Sequence, residues 1–132
     1  MIKAKFIDLA LLLLRLTFGG MMIYGHGWRK LLRLFGDEPI KFRDVFGMGP
    51  EVSLALAVFA EVLCALLLMA GLLSRWVAIP LAFTMFVAAF VAHGADPFSE
   101  KELAVAYMMV YVALFLTGPG KYSVDHYAKI KI

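Results

Sequence analysis

The sequence predicts an all-α protein embedded in a membrane, a four-helix bundle with a short interfacial amphipathic helix between spans 1 and 2. Three observations predict it. The chain is 63% hydrophobic and only 17% charged over 132 residues, whereas about a quarter of the residues in a water-soluble domain are charged. The apolar residues gather into four runs, 7–24, 52–73, 76–93 and 103–117. Within them, stretches such as WVAIPLAFTMFVAAFVA carry no polar stripe that a helix in water would turn outward. One domain, 1–132, accommodates all four runs.

A helix needs about 20 residues to cross a hydrocarbon core of about 30 Å. The second and third runs meet that length. The first must carry Asp8 and Arg15 within it, and the fourth is short, so it borrows polar residues at its ends or thins the bilayer around it. The N-terminal MIKAKFIDLALLLL has the basic start of a secretory signal, but Arg15 interrupts the apolar stretch and no small-residue cleavage site follows. A retained first helix is expected.

Residues 25–51 connect the first two runs. Trp28, Leu31, Leu32 and Phe35 recur at helical spacing, with Arg29, Lys30 and Arg33 on other faces. This predicts a short helix lying in the interface plane after a bend at Gly25 and Gly27, the alternative being that the first helix simply overshoots the bilayer to Leu34, and GDEP at 36–39 ends it. In the remaining runs, Gly19 and Gly20 allow close helix approach, Pro80 invites a kink, and TGPGKYSVD at 117–125 stops the last helix.

The net charge is +3. The basic residues flank apolar runs instead of forming a stripe, so the partner they imply is a lipid bilayer and not nucleic acid. Four spans place both termini on one face. Lys3, Lys5, Arg75, Lys121, Lys129 and Lys131 then lie on that face, against Arg29, Lys30, Arg33, Lys41, Arg43 and Lys101 on the other. The count is tied, and the leading Lys3 and Lys5 tip the expectation toward cytoplasmic termini. Cys64 is the single cysteine, which rules out dithiol chemistry and multi-cysteine metal cages within one chain.

Glu61 stands alone in LALAVFAEVLCALLLMAGLL. A carboxylate there requires a partner or a shifted proton affinity. Counting from the ends of adjacent antiparallel runs, Glu61 lies nine residues beyond Val52 and Arg15 nine before Tyr24. Equal depth predicts a Glu61–Arg15 pair facing the bundle interior, either fixing register or flooring a ligand pocket. His26 and His93 end the first and third runs on the same face, together with Asp96. Imidazoles so placed can bind a metal, ligate a haem or hydrogen-bond a quinone carbonyl. With two histidines at non-motif spacing, His26, His93 and Asp96 are weak metal candidates, and no metal is assigned. There is no phosphate loop, GxSxG, HExxH or CxxC.

Arg15 with Gly19, GHGWRKL at 25–31, Glu61 followed by LLLMAGLLSR, His93, and GPGKYSVD at the tail occur here in one order and spacing. With these landmarks the chain resembles the DoxX family of small bacterial membrane proteins over nearly its whole length. The resemblance implies a four-helix protein of the bacterial inner membrane, whose namesakes are linked to a thiosulfate:quinone oxidoreductase and whose other members are tied to redox-stress complexes. It marks Arg15, His26, Lys30, Glu61, His93 and Asp125 as recurring polar positions. The leading expectation is a redox-associated subunit with a small pocket, binding quinone, between Arg15 with Glu61 at depth and His26 with His93 at the rim, Lys30 nearby. Electrons would then come from a redox partner protein. The rivals are a non-catalytic scaffold that docks a partner on the amphipathic helix, and a small-solute or proton carrier in which the protein acts as a homo-oligomer.

Overall fold

In the computed structural model, residues 3–42, 47–92 and 94–129 are described. Among them all regular structure is helical, with no strand. The first helix, α1, runs without interruption over Ala4–Leu34, 31 residues or about 46 Å at 1.5 Å per residue. It passes through one π-helical stretch, Ile23–Gly27, and resumes as Trp28–Leu34. The second, α2, covers Pro50–Ala70, with a π-helical stretch at Phe59–Cys64. The third, α3, covers Ser74–Phe86 and continues π-helically over Val87–Ala92. A 3-10 turn at Phe98–Glu100 leads into α4, Glu102–Thr117, and a single turn, α5, covers Val124–Tyr127.

Residue chemistry sets these boundaries. Gly49 at φ 93° precedes Pro50 at the first turn of α2, where a missing N–H costs nothing. Gly71 at φ 76° ends α2 in the left-handed conformation, with Leu72 N bonded back to Leu67 O at 2.9 Å and Gly71 N to Leu68 O at 3.0 Å. Only Gly71, Leu72 and Leu73 separate α2 from α3, and Leu73 is itself left-handed at φ 53°.

α1, α2 and α3 are each long and apolar enough to cross a membrane, and α4 is a shorter apolar helix. The chain is a multi-pass membrane protein. Its core is narrow: Met22, Leu54, Cys64, Leu68, Leu81 and Leu114 are buried between helices. Large apolar side chains such as Leu13, Phe83 and Leu116 point outward, as a lipid solvent requires.

At the connection after the first span the expected bend is absent and the alternative, a first helix that continues to Leu34, is what the structure has. Trp28–Leu34 does not follow a bend; it forms the last two turns of α1, packed on the start of α2. Gly27 is used for contact, since a Cβ there would meet Val62 Cγ2 at 2.7 Å and Glu61 O at 2.9 Å. Gly19 does the same eight residues earlier, against Met69 Cγ at 2.5 Å and Ala65 O at 3.0 Å. These two close approaches lock the register of α1 on α2.

Candidate functional site

That register separates Arg15 from Glu61. With Gly27 against Glu61 and Gly19 against Ala65, Arg15 falls opposite the end of α2, seven residues beyond Glu61 and about 10 Å further along the axis. The expected Arg15–Glu61 pair is therefore replaced by two clusters of buried charge. The count from run ends went astray because α1 continues to Leu34 instead of ending at Tyr24.

The first cluster closes one end of the bundle. Arg15 is completely buried. Its Nη1 donates to Leu68 O at 3.3 Å and Met69 O at 3.2 Å, and its Nη2 donates to Tyr122 O. The last carbonyls of a helix lack intrahelical partners and sit at the negative end of its dipole, so a guanidinium is a fitting cap there. Asp125, 3% exposed, does the complementary task for α3. Its Oδ1 accepts from Leu73 N at 2.7 Å and its Oδ2 from Ser74 N at 3.0 Å, while Asp125 N donates to Gly71 O at 3.0 Å. The tail that carries Asp125 is tied to α1 as well, through Lys121 N to Asp8 Oδ1 at 3.1 Å. Arg15 and Asp125 thus both hold backbone groups at the chain reversal at 71–73, while the buried Arg15 Nε has no partner of its own.

The second cluster lies deeper toward the opposite end. Lys30 Nζ contacts both oxygens of Glu61, at 2.7 Å to Oε1 and 2.8 Å to Oε2, with the Glu61 side chain 1% exposed and that of Lys30 26% exposed. The Lys30 ammonium also lies 5.7 Å from the centre of the Phe42 ring. His26 is half-buried beside the pair, within electrostatic reach of Glu61, Lys30 and Arg29. Its ring meets Tyr107 edge-on at 5.6 Å and 87°. Tyr107 in turn stands edge-on to Phe18 at 5.4 Å, and the next turn of α4 supplies Tyr111, whose hydroxyl donates to Phe18 O at 3.0 Å.

The sequence points to Glu61, His26 and Lys30 but not to Tyr107 and Tyr111. Their four-residue spacing in α4, opposite the only acid of α2's interior, was the available signal. His26 and Glu61 both sit in π-helical stretches. Such turns widen the backbone and occur often at functional sites. His93, one of the three residues expected to converge with His26 and Asp96, lies outside the described residues; Asp96 is exposed in the turn before Pro97. Among the described residues no three acidic, histidine or cysteine side chains gather as a metal site would require.

An open apolar groove of about 380 Å³ runs along the outer side of the α1–α2 contact, lined by Gly20, Ile23, Tyr24, Trp28, Leu66 and Met69. None of the charged residues of either cluster lines it.

The family's sequence model, described as DoxX, matches residues 10–94. The chain belongs to the DoxX family. The matched region holds Arg15, Gly19, His26, Lys30 and Glu61, and with them the whole α1–α2 interface. α4 and the tail bearing Asp125 lie beyond it, so the landmarks expected over nearly the whole chain are matched as far as the end of α3. No curated protein and no solved structure matches the chain. DoxX membership makes the chain a membrane protein of that family, in agreement with its three long apolar helices.

Proposed function

We propose that this DoxX protein is a four-span subunit of the bacterial inner membrane, with cytoplasmic termini, that serves a redox assembly by binding a quinone headgroup at His26, Lys30 and Glu61. α4 is the fourth span in this reading, its 16 residues being completed by polar neighbours at both ends. The observation that carries the reading is the doubly bonded Lys30–Glu61 pair beside His26 and Tyr107. A quinone needs apolar walls and a few hydrogen-bond donors. An ammonium has three donors, of which Glu61 takes two, and the His26 ring contributes another. Tyr107 and Phe18 provide aromatic walls. Arg15 leaves the candidate set because its donors serve the end of α2. Electrons for any turnover come from a partner protein, since the chain has one buried cysteine.

The test is the quinone content of protein extracted directly into lipid nanodiscs. Close to one quinone per chain in the wild type, falling severalfold in His26→Leu and Glu61→Gln, supports the reading. A wild-type content equal to that of empty nanodiscs overturns it.

A scaffold role is the second reading, favoured by one observation: Arg15 and Asp125, two of the buried charges, make the hydrogen bonds given above to backbone groups alone. If it is right, a partner complex survives Glu61→Gln and is lost on replacing Arg29 and Arg33, both exposed on the last turns of α1.

A further inference from the structure

The groove on the outer side of the α1–α2 contact has an apolar end and a charged end. Gly20, Tyr24 and Trp28 follow one another every four residues along α1, so this wall is eight residues, or about 12 Å, long. Leu66 and Met69 of α2 form the other wall. At the Gly20 end the missing side chain deepens the groove: a Cβ there would meet Met69 Cε at 3.7 Å. Tyr24, Trp28 and Leu66 are exposed along it, and in a multi-pass membrane protein that exposure is to lipid.

The Trp28 end lies close to a headgroup layer. His26 meets Tyr107, and Glu102, exposed at the start of α4, stands five residues before Tyr107, about 8 Å nearer that face. Trp28, two residues beyond His26 toward the same face, is therefore within about one helical turn of that charged boundary. Tryptophan and tyrosine rings favour this depth in a bilayer. Arg29 and Arg33 follow directly, four residues apart on α1 and both exposed. The Arg29 guanidinium is laid back along the helix, its Nη2 donating to Gly25 O at 3.1 Å, one residue from Tyr24 of the groove wall.

We propose that this groove holds one acyl chain of an anionic phospholipid, with the lipid phosphate on Arg29 and Arg33 at the membrane face that carries residues 28–42. An apolar slot that ends beside two arginines is complementary to an amphiphile with a negative head, and the guanidinium fork matches phosphate oxygens. Two other occupants lack that complementarity. A second copy of the chain, seated on the groove about a two-fold axis along the membrane normal, would bring Arg29 and Arg33 of both copies to one depth, like charge against like. A neutral isoprenoid chain offers the arginines nothing. The proposal goes beyond the function assigned to His26, Lys30 and Glu61 and does not depend on what binds there.

The test is fluorescence quenching by brominated lipids. Trp28 and Trp76 are the two tryptophans, so full-length Trp76→Phe protein reports from Trp28 alone. It is reconstituted in phosphatidylcholine vesicles that contain a small fraction of either phosphatidylglycerol or phosphatidylcholine brominated on its acyl chains. The relative affinity read at Trp28 is expected to favour phosphatidylglycerol about fivefold, the preference that one basic residue gives near an anionic lipid. Trp76, read in the complementary Trp28→Phe protein, should show no such preference. Replacing Arg29 and Arg33 by Gln should abolish the preference at Trp28, and replacing both by Lys should retain it. Gly20→Leu, which fills the deep end of the groove, should lower it. Equal quenching of Trp28 by the two lipids overturns the proposal, as does a Trp28 shielded from both, the result that a second copy or an isoprenoid chain in the groove would give. A preference untouched by Gly20→Leu places the lipid outside the groove and overturns it as well.

Discussion

Arg15 and Asp125 hold the same chain reversal from opposite directions, Arg15 on the last carbonyls of α2 and Asp125 on the first N–H groups of α3. Each charge meets the helix dipole end it suits. The two residues lie 110 positions apart in sequence, and the tail has to fold back across the bundle before the turn is complete.

Arg15→Leu therefore costs more than the loss of one surface charge. It takes the Arg15 donors from the carbonyls of Met69 and Tyr122, leaves Leu68 O with Gly71 N alone, and strips Asp125 of its nearby cation. We expect a loss of about 3–5 kcal/mol, the range for removing one partner of a buried charged contact. Asp125→Asn keeps the size and one acceptor oxygen, and should cost about 1–3 kcal/mol. Thermal unfolding in detergent ranks the two, and trypsin cleavage after Lys121 should accelerate in both as the tail loosens. An Arg15→Leu protein as stable as the wild type would contradict the capping role.

Glycines that look alike in sequence should respond in opposite ways. A Cβ at Gly27 would strike Val62 Cγ2 and the Glu61 carbonyl, whereas one at Gly25 meets nothing within 4 Å. Gly27→Ala must push α1 from α2 and is expected to lower the melting temperature by several degrees and weaken the Lys30–Glu61 contact. Gly25→Ala adds a better helix former without a clash, worth up to about 1 kcal/mol in its favour. Melting curves of the two variants in the same detergent decide this.

How far the sequence could be read follows from the same glycines. The apolar runs needed only composition and length, because lipid leaves a helix as the one backbone solution for each. The pairing of charges needed the register between helices, and hydropathy blurs helix ends by several residues. Extending α1 from Tyr24 to Leu34 shifts every depth counted from its end, which turned Arg15 toward α2's last carbonyls and gave Glu61 to Lys30. Gly19 and Gly27, eight residues apart on one face, held the missing information. Read as contact points instead of bend points, they place position 27 against 61 and position 19 against 65. The tail cluster was harder to read, since a helix stop such as TGPGKYSVD does not say that its Asp125 returns to cap a helix more than fifty residues earlier.

The aromatic wall yields a graded expectation. Tyr111→Phe removes one hydroxyl donor to Phe18 O at 3.0 Å and should cost about 1 kcal/mol. Tyr107→Leu removes two edge-on contacts, to Phe18 and His26, each worth about 0.5–1.5 kcal/mol beyond burial. The second substitution is expected to be the more damaging, and to disorder the His26 ring as well. Carbon-detected NMR of labelled histidine would show a broadened or shifted His26 resonance in Tyr107→Leu and an unchanged one in Tyr111→Phe.

The Lys30–Glu61 contact lends itself to a double-mutant cycle. Glu61→Gln leaves the Lys30 ammonium with an amide oxygen and a route to the surface, because its side chain is 26% exposed. Lys30→Met leaves Glu61, 1% exposed, with no such route, so an uncompensated buried charge destabilises the fold. The cost should therefore be unequal: about 1–2 kcal/mol for the Glu61 change, by analogy with a weakened charged hydrogen bond, and about 3–5 kcal/mol for the Lys30 change if the charge is retained. Combining Lys30→Met with Glu61→Gln removes both charges, and the double variant should be more stable than Lys30→Met alone. Unfolding free energies of the four proteins in one detergent give the coupling directly. A sum of single effects equal to the double effect would mean that the ammonium and the carboxylate, although 2.7 Å apart, contribute independently, and the pair would lose its standing as the centre of the site.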